Sequence, residues 1–142
     1  MTAGVQAINE VDSGILKVMH IESPHLPDTV SWWMNAAVDN GVEFDILGIS
    51  CYSAWHGPPS TWESTFQRLA SEQPNLRFMI AEYADNYRAA NDIMFDLPRG
   101  IGTLFWEPTA DGEWGTGLFD SNGNSRDTLS LYDQMAVDYG LR

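Results

Sequence analysis

Four short apolar runs, each followed by a stretch with helical hydrophobic spacing, constrain most strongly how this chain can fold. The clearest run is Arg77-Phe-Met-Ile-Ala-Glu-Tyr-Ala84. Phe78, Met79, Ile80 and Ala81 follow one another without a charge, as in a strand covered on both faces. The other runs are Gly14 to Ile21, Phe44 to Tyr52 and Gly100 to Trp106. Helical patterns cover Ala3 to Glu10, Thr29 to Asp39, the segment after Pro58 and Pro59, Asp85 to Phe95, and Thr128 to about Tyr139. Asp28 is the expected N-cap of the second helix, with Asn40-Gly41 as its stop. Ser60 or Thr61 is the expected cap of the third, and Ser60 with Glu63 fits a capping box.

Buried strands that alternate with helices must pair in parallel, with right-handed crossovers. The expected fold class is therefore α/β of the (β/α) barrel type, with about four parallel strands and alternating helices in a single domain over residues 1–142. No Gly-rich phosphate loop follows the first run, which disfavours an open nucleotide-binding sheet. The helices are expected to bury Val30, Trp33, Met34, Ala37 and Val38, then Trp62, Phe66 and Leu69, then Leu129, Leu131, Tyr132, Met135 and Ala136. Trp32 is read as a packing residue alongside Trp33 and Trp62.

All four runs end in polar or aromatic residues: His20 and Glu22, Tyr52 with Trp55, Glu82, and Trp106 with Glu107. In parallel sheets the carboxyl ends of the strands are where ligands bind. A carboxylate ending an apolar strand is costly inside a core, but is accommodated at the rim of a cleft. Taken alone, Glu82 has two further readings, as a charge at the next helix N-terminus or as a surface residue. His20 can equally be a satisfied buried histidine, and Glu107 a cap for the segment that follows. His25 and His56 lie in loops with no partner in view and carry no expected chemistry.

Acidic residues outnumber basic ones 20 to 7, for a net charge of −13. Such a chain repels a nucleic-acid backbone or an anionic membrane, so neither is expected as a partner. Uncharged ligands such as sugars suit an acidic protein with six Trp. Cys51 is the single cysteine, which leaves no internal disulfide and no cysteine-based metal site. No metal or cofactor is expected. The first residues lack a signal-peptide pattern; the chain reads as cytoplasmic as it stands, and a piece of a secreted protein would read the same.

Phe44 to Gly57, Phe78 to Ala84 and Gly102 to Pro108 resemble the later strands of glycoside hydrolase family 53, the arabinogalactan endo-β-1,4-galactanases. That family folds as an eight-stranded (β/α) barrel, a TIM barrel, and cleaves β-1,4-galactan with retention of configuration. The resemblance begins just after the family's fourth strand, so it implies half a TIM barrel, strands five to eight. It implies that Glu82, in Ile80-Ala-Glu-Tyr83, is the catalytic nucleophile. It implies substrate contacts at His20, Glu22, Tyr52, Trp55, Trp106, Glu107 and Trp114, with Trp106 flooring the site. Glu22 stands where a shorter Asp is usual, and Cys51 replaces an aromatic residue. The family's acid/base Glu, which ends strand four, has no counterpart in this chain.

A half barrel leaves two open sheet edges. A homodimer or a separate N-terminal half barrel is the expected partner, and β-galactan or a related polysaccharide the expected substrate. In a homodimer the partner copy's fourth strand would bring its Glu107 toward Glu82. The isolated chain is expected to be inactive until completed. The competing function is a non-catalytic carbohydrate-binding or structural half barrel, which binds galactan without cleaving it.

Overall fold

A computed structural model describes residues 1–109 and 117–142. Its elements are α1 (Thr2–Val11), β1 (Val18–Ile21), α2 (Pro27–Asp39), β2 (Ile46–Ser50), α3 (Ser53–His56), α4 (Pro59–Glu72), β3 (Arg77–Tyr83), α5 (Tyr87–Asp96), β4 (Gly100–Phe105) and α6 (Thr128–Asp138). The four strands form one sheet in the order β1-β2-β3-β4, and every pair is parallel. The expected α/β half barrel is therefore observed. No helix among the described residues is long and apolar enough to cross a membrane.

One face of the sheet carries the core. Leu47, Ile49 and Cys51 of the β2 segment meet Phe78, Ile80 and Tyr83 of β3, and α2, α4 and α5 cover them with Met34, Trp62, Phe66, Leu69, Ala90 and Met94. Trp62 is fully buried and donates its indole N–H to the His56 carbonyl at 3.0 Å, so its polar end is satisfied. Cys51 is a small buried packing residue, and burial raises its thiol pKa, which leaves it unreactive. The opposite face carries Val18 and His20, then Gly48 and Ser50, then Met79 and Ala81. Gly48 is required there, because a Cβ at that position would lie 2.8 Å from the Ala81 Cβ and 3.1 Å from Val18 Cγ1.

Several local expectations change. The α2 N-cap is Leu26, with Pro27 in the first turn; Asp28 sits inside that turn and pairs with Arg68 at 2.6 Å. Proline supplies the helical φ and lacks the N–H that a cap would satisfy. The same substitution removes the Ser60–Glu63 capping box: α4 starts at Pro59 after Pro58 with no side-chain cap, and Glu63 accepts instead from Gln67. β1 begins at Val18 rather than Gly14; Lys17 N–H is taken by the Asp45 carboxylate at 2.8 Å just ahead of it. Trp32, Val38 and Leu131 are exposed rather than packed, because Ser31 and Tyr132 make the inward contacts beside them. Tyr132 binds Tyr83 hydroxyl to hydroxyl at 2.7 Å, and Asn91 and Thr103 join the same cluster, which seats α6 on β3 and α5.

The feature that matters most for function is a fault in the β3 ladder. Ile49 pairs with Ile80, but Ser50 pairs with Glu82 rather than Ala81. On the other side Ile80 pairs with Thr103 and Tyr83 with Phe105, so β3 carries one extra residue against both neighbours. Strict alternation from Phe78 and Ile80 would send Glu82 toward the helices. The extra residue shifts the phase, so that Tyr83 returns to the core and Glu82 emerges on the other face, the re-aiming a β-bulge produces.

Candidate active site

The strand ends converge on a cavity of about 700 Å³ lined by Glu22, Ser50, Tyr52, Ala54, Trp55, His56, Glu82, Ala84, Asp85 and Trp106. Glu82 sits at its base, on the bulge. Its Oε2 accepts two hydroxyls, from Tyr52 at 3.1 Å and Ser50 at 3.3 Å. Its Oε1 accepts no hydrogen bond among the described residues and lies 3.9 Å from His20 Nε2, beyond hydrogen-bond range. The two carboxylate oxygens are thus unequal: Oε2 accepts two hydrogen bonds and Oε1 none among the described residues. His20 Nε2 also lies 2.8 Å from Ser50 Oγ.

Tyr52 is positioned by α3, the short turn that the helical pattern did not reveal. Its backbone N–H donates to His56 Nδ1 at 3.1 Å, and its carbonyl accepts the N–H groups of Trp55 and His56. Burial first, and then the hydrogen bond to Glu82, push the Tyr52 phenol well above its ordinary pKa, so it remains a donor at neutral pH. Trp55 meets the Tyr52 ring edge to face at 5.1 Å, is 57% exposed and lines the cavity. Burial, reinforced by the stacked His25 ring 5.6 Å away, lowers the His56 pKa, with Glu22 acting in the opposite sense. A neutral His56 is what the acceptor role of its Nδ1 requires.

Of the other carboxylates on the cavity wall, Asp85 is occupied. It accepts the Ser53 backbone N–H at 3.2 Å and the Ser53 hydroxyl, and so satisfies the first turn of α3. Glu22 makes no hydrogen bond among the described residues and stands on the rim after β1. Trp106 continues the β4 ladder, with its N–H bonded to the Tyr83 carbonyl at 2.8 Å, and its side chain reaches the cavity. Glu107, in the left-handed region at φ 48°, is exposed and is not among the lining residues. Trp114 lies outside the described residues. No group of three or more His, Cys, Asp or Glu among the described residues is arranged to hold a metal ion.

The structure thus brings Glu22, Tyr52, Trp55, Glu82 and Trp106 to one cavity, with His20 reaching it through Ser50. Ser50, His56 and Asp85 were not singled out from sequence. Ser50 carried a readable signal, since it is a polar residue in phase with Gly48 in an otherwise apolar run. His56 and Asp85 depend on the α3 turn, which is too short to leave a periodic pattern.

Comparison with known proteins extends these observations. Residues 1–97 match the family model for glycosyl hydrolase family 53. An endo-beta-1,4-galactanase of Bacillus subtilis (strain 168) is 28% identical over 86 residues, which are 61% of this chain and 20% of that protein. Among solved structures, the Ignisphaera aggregans GH53 catalytic domain superposes with a TM-score of 0.76 at 18% identity, over 92% of this chain and 49% of that one. The catalytic core of xylanase A gives 0.59 at 12% identity, over 82% of this chain and 48% of that one. The chain therefore spans about half of the GH53 catalytic domain it resembles. The family-model match ends at residue 97, before β4. The match over two thirds of its length makes this chain a member of glycosyl hydrolase family 53.

Proposed function

We propose that this chain is the nucleophile-bearing half of a retaining β-1,4-galactan hydrolase, with Glu82 as nucleophile. The observation that carries the reading is the asymmetry of the Glu82 carboxylate at the cavity: Oε2 is held by Tyr52 and Ser50, and Oε1 accepts no hydrogen bond among the described residues. The two hydroxyl donors fix the orientation of a carboxylate whose attack requires the ionised form. In the first step Oε1 bonds to the anomeric carbon while that carbon's bond to the leaving sugar oxygen breaks. A protonated carboxyl about 5–5.5 Å from Glu82 must give its proton to that oxygen. In the second step water attacks the same carbon, gives its proton to that second group, and releases Glu82. Trp55 and Trp106 offer flat faces for the C–H groups of galactose, while His20, Glu22 and Glu107 are candidate hydroxyl contacts; Trp114 is a substrate contact that the family resemblance implies.

The second carboxyl is assigned to another half barrel. Val18 and Leu104, on the open β1 and β4 edges, are 47% and 58% exposed, as apolar residues awaiting cover. A second copy of this chain would bring together two bodies of charge −13 each, which repel. A four-stranded (β/α) half like that preceding strand five of the family is therefore the better occupant, on the same polypeptide or a separate one. The test is hydrolysis of β-1,4-galactan by the chain combined with such a half. Glu82→Gln should abolish cleavage and leave galactan binding in place. Binding with no cleavage by the unmutated, completed barrel would instead support a carbohydrate-binding module.

A further inference from the structure

We propose that Ser50 is a positioning residue that uses its single hydroxyl proton to tie Glu82 and, in doing so, fixes His20 as its Nε2–H tautomer. The inference rests on the reading of Glu82 as nucleophile but is tested independently of it. The geometry spans three adjacent strands, with His20 on β1, Ser50 on β2 and Glu82 on β3. His20 pairs in register with Gly48, and the β3 bulge brings Glu82 opposite Ser50. Ser50 Oγ consequently stands between its neighbours, 2.8 Å from His20 Nε2 and 3.3 Å from Glu82 Oε2.

Counting protons settles the direction of both bonds. A serine hydroxyl has one hydrogen and two acceptor lone pairs, and an ionised carboxylate only accepts. If Ser50 donates to Glu82, its oxygen is free to accept, and the proton in the second bond must come from His20 Nε2. If Ser50 donated to His20 instead, its lone pairs would face the Oε2 anion at 3.3 Å with no proton between them. That arrangement is repulsive, and Ser50 is 8% exposed, so water cannot readily relieve it. In the first arrangement His20 gives its N–H to Ser50 Oγ, with Nε2 lying 3.9 Å from Glu82 Oε1. Ser50 and Tyr52 then both hold Oε2, which opposes rotation of the carboxylate and exchange of its oxygens. Without Ser50, Tyr52 alone would leave that rotation open.

The test is a two-bond ¹⁵N–¹H correlation spectrum of the 142-residue chain, with His20 read on the alkaline plateau of its titration. The expected result is an Nε2-bound proton protected from solvent exchange. Ser50→Ala should speed that exchange at least tenfold, and Ser50→Thr, which keeps the hydroxyl, should restore the protection. In the completed barrel Ser50→Ala should lower kcat about tenfold, roughly what one hydrogen bond to a charged group supplies, with KM little changed. An Nδ1–H tautomer in the unmutated chain overturns the proposal, as does exchange that Ser50→Ala leaves unchanged. If the tautomer is as stated but Glu82→Gln still cleaves galactan, only the nucleophile reading fails.

Discussion

Replacing Gly48 tests whether the inner face around Glu82 is as tightly set as its geometry requires. An added Cβ would lie 2.8 Å from the Ala81 Cβ, 3.1 Å from Val18 Cγ1 and 3.4 Å from Met79 Cγ. Val18 and Met79 can rotate away, whereas the Ala81 Cβ is fixed to the β3 backbone one residue before Glu82. Overpacking of this kind costs about 1–3 kcal/mol. Removing a glycine from the unfolded chain returns about 0.4–1 kcal/mol, so Gly48→Ala should destabilise by roughly 0–2.6 kcal/mol. Ala81→Gly alone should cost about 0.5–1 kcal/mol, as glycine does in a strand. The two together remove the clash, and their combined effect should fall near zero, a coupling of about 1–3 kcal/mol. Urea unfolding of the four proteins in the cycle measures this directly. Additivity within about 0.5 kcal/mol would refute the assignment of Gly48 and Ala81 to one crowded contact beside the bulge.

Three further outcomes follow from the same structure. Gly100→Ala should unfold more readily than Gly48→Ala, because its Cβ would lie 2.1 Å from the Met94 carbonyl oxygen, a backbone atom that cannot step aside; thermal melts rank the two. His56 has a folded pKa below its ordinary 6.5, so the unfolded state binds more protons in that range; stability should be full above about pH 6.5 and fall as pH drops below it. His56→Gln should flatten that part of the profile in urea titrations at several pH values. Glu82→Gln removes the charge and weakens the hydrogen bond that help raise the Tyr52 phenol, while burial remains. Its ionisation should therefore move down yet stay above that of free tyrosine, as read by ultraviolet difference against a Tyr52→Phe background.

The architecture was legible because its signals are long. Four apolar runs and four helical patterns between and after them permit little other than a parallel sheet with helical crossovers. The strand-end rule then located Glu82, Tyr52 and Trp106 without any coordinate. What stayed hidden depends on single residues. Alternation along Phe78 to Tyr83 gives no hint that one extra residue turns Glu82 away from the core, because a bulge is set by pairing with β2 and β4 rather than by β3 alone. The α3 turn spans four residues and is held by Asp85 from the next strand end, a contact 32 residues away. The helix starts were misread for a simpler reason. Ser60 and Asp28 look like caps, but the prolines just before them had already started each helix.

The central claim is that Glu82 forms the covalent bond to sugar once a second half completes the barrel. Peptide mapping of the completed protein, quenched during turnover of a β-galactoside with an activated leaving group, tests it most directly. The account predicts a mass increase of one galactosyl unit on the peptide containing Glu82, and none on the Glu82→Gln protein. A label on the peptide carrying Glu22 or Glu107, or turnover that leaves the Glu82 peptide unlabelled under conditions that trap the intermediate in a full-length family enzyme, would contradict it.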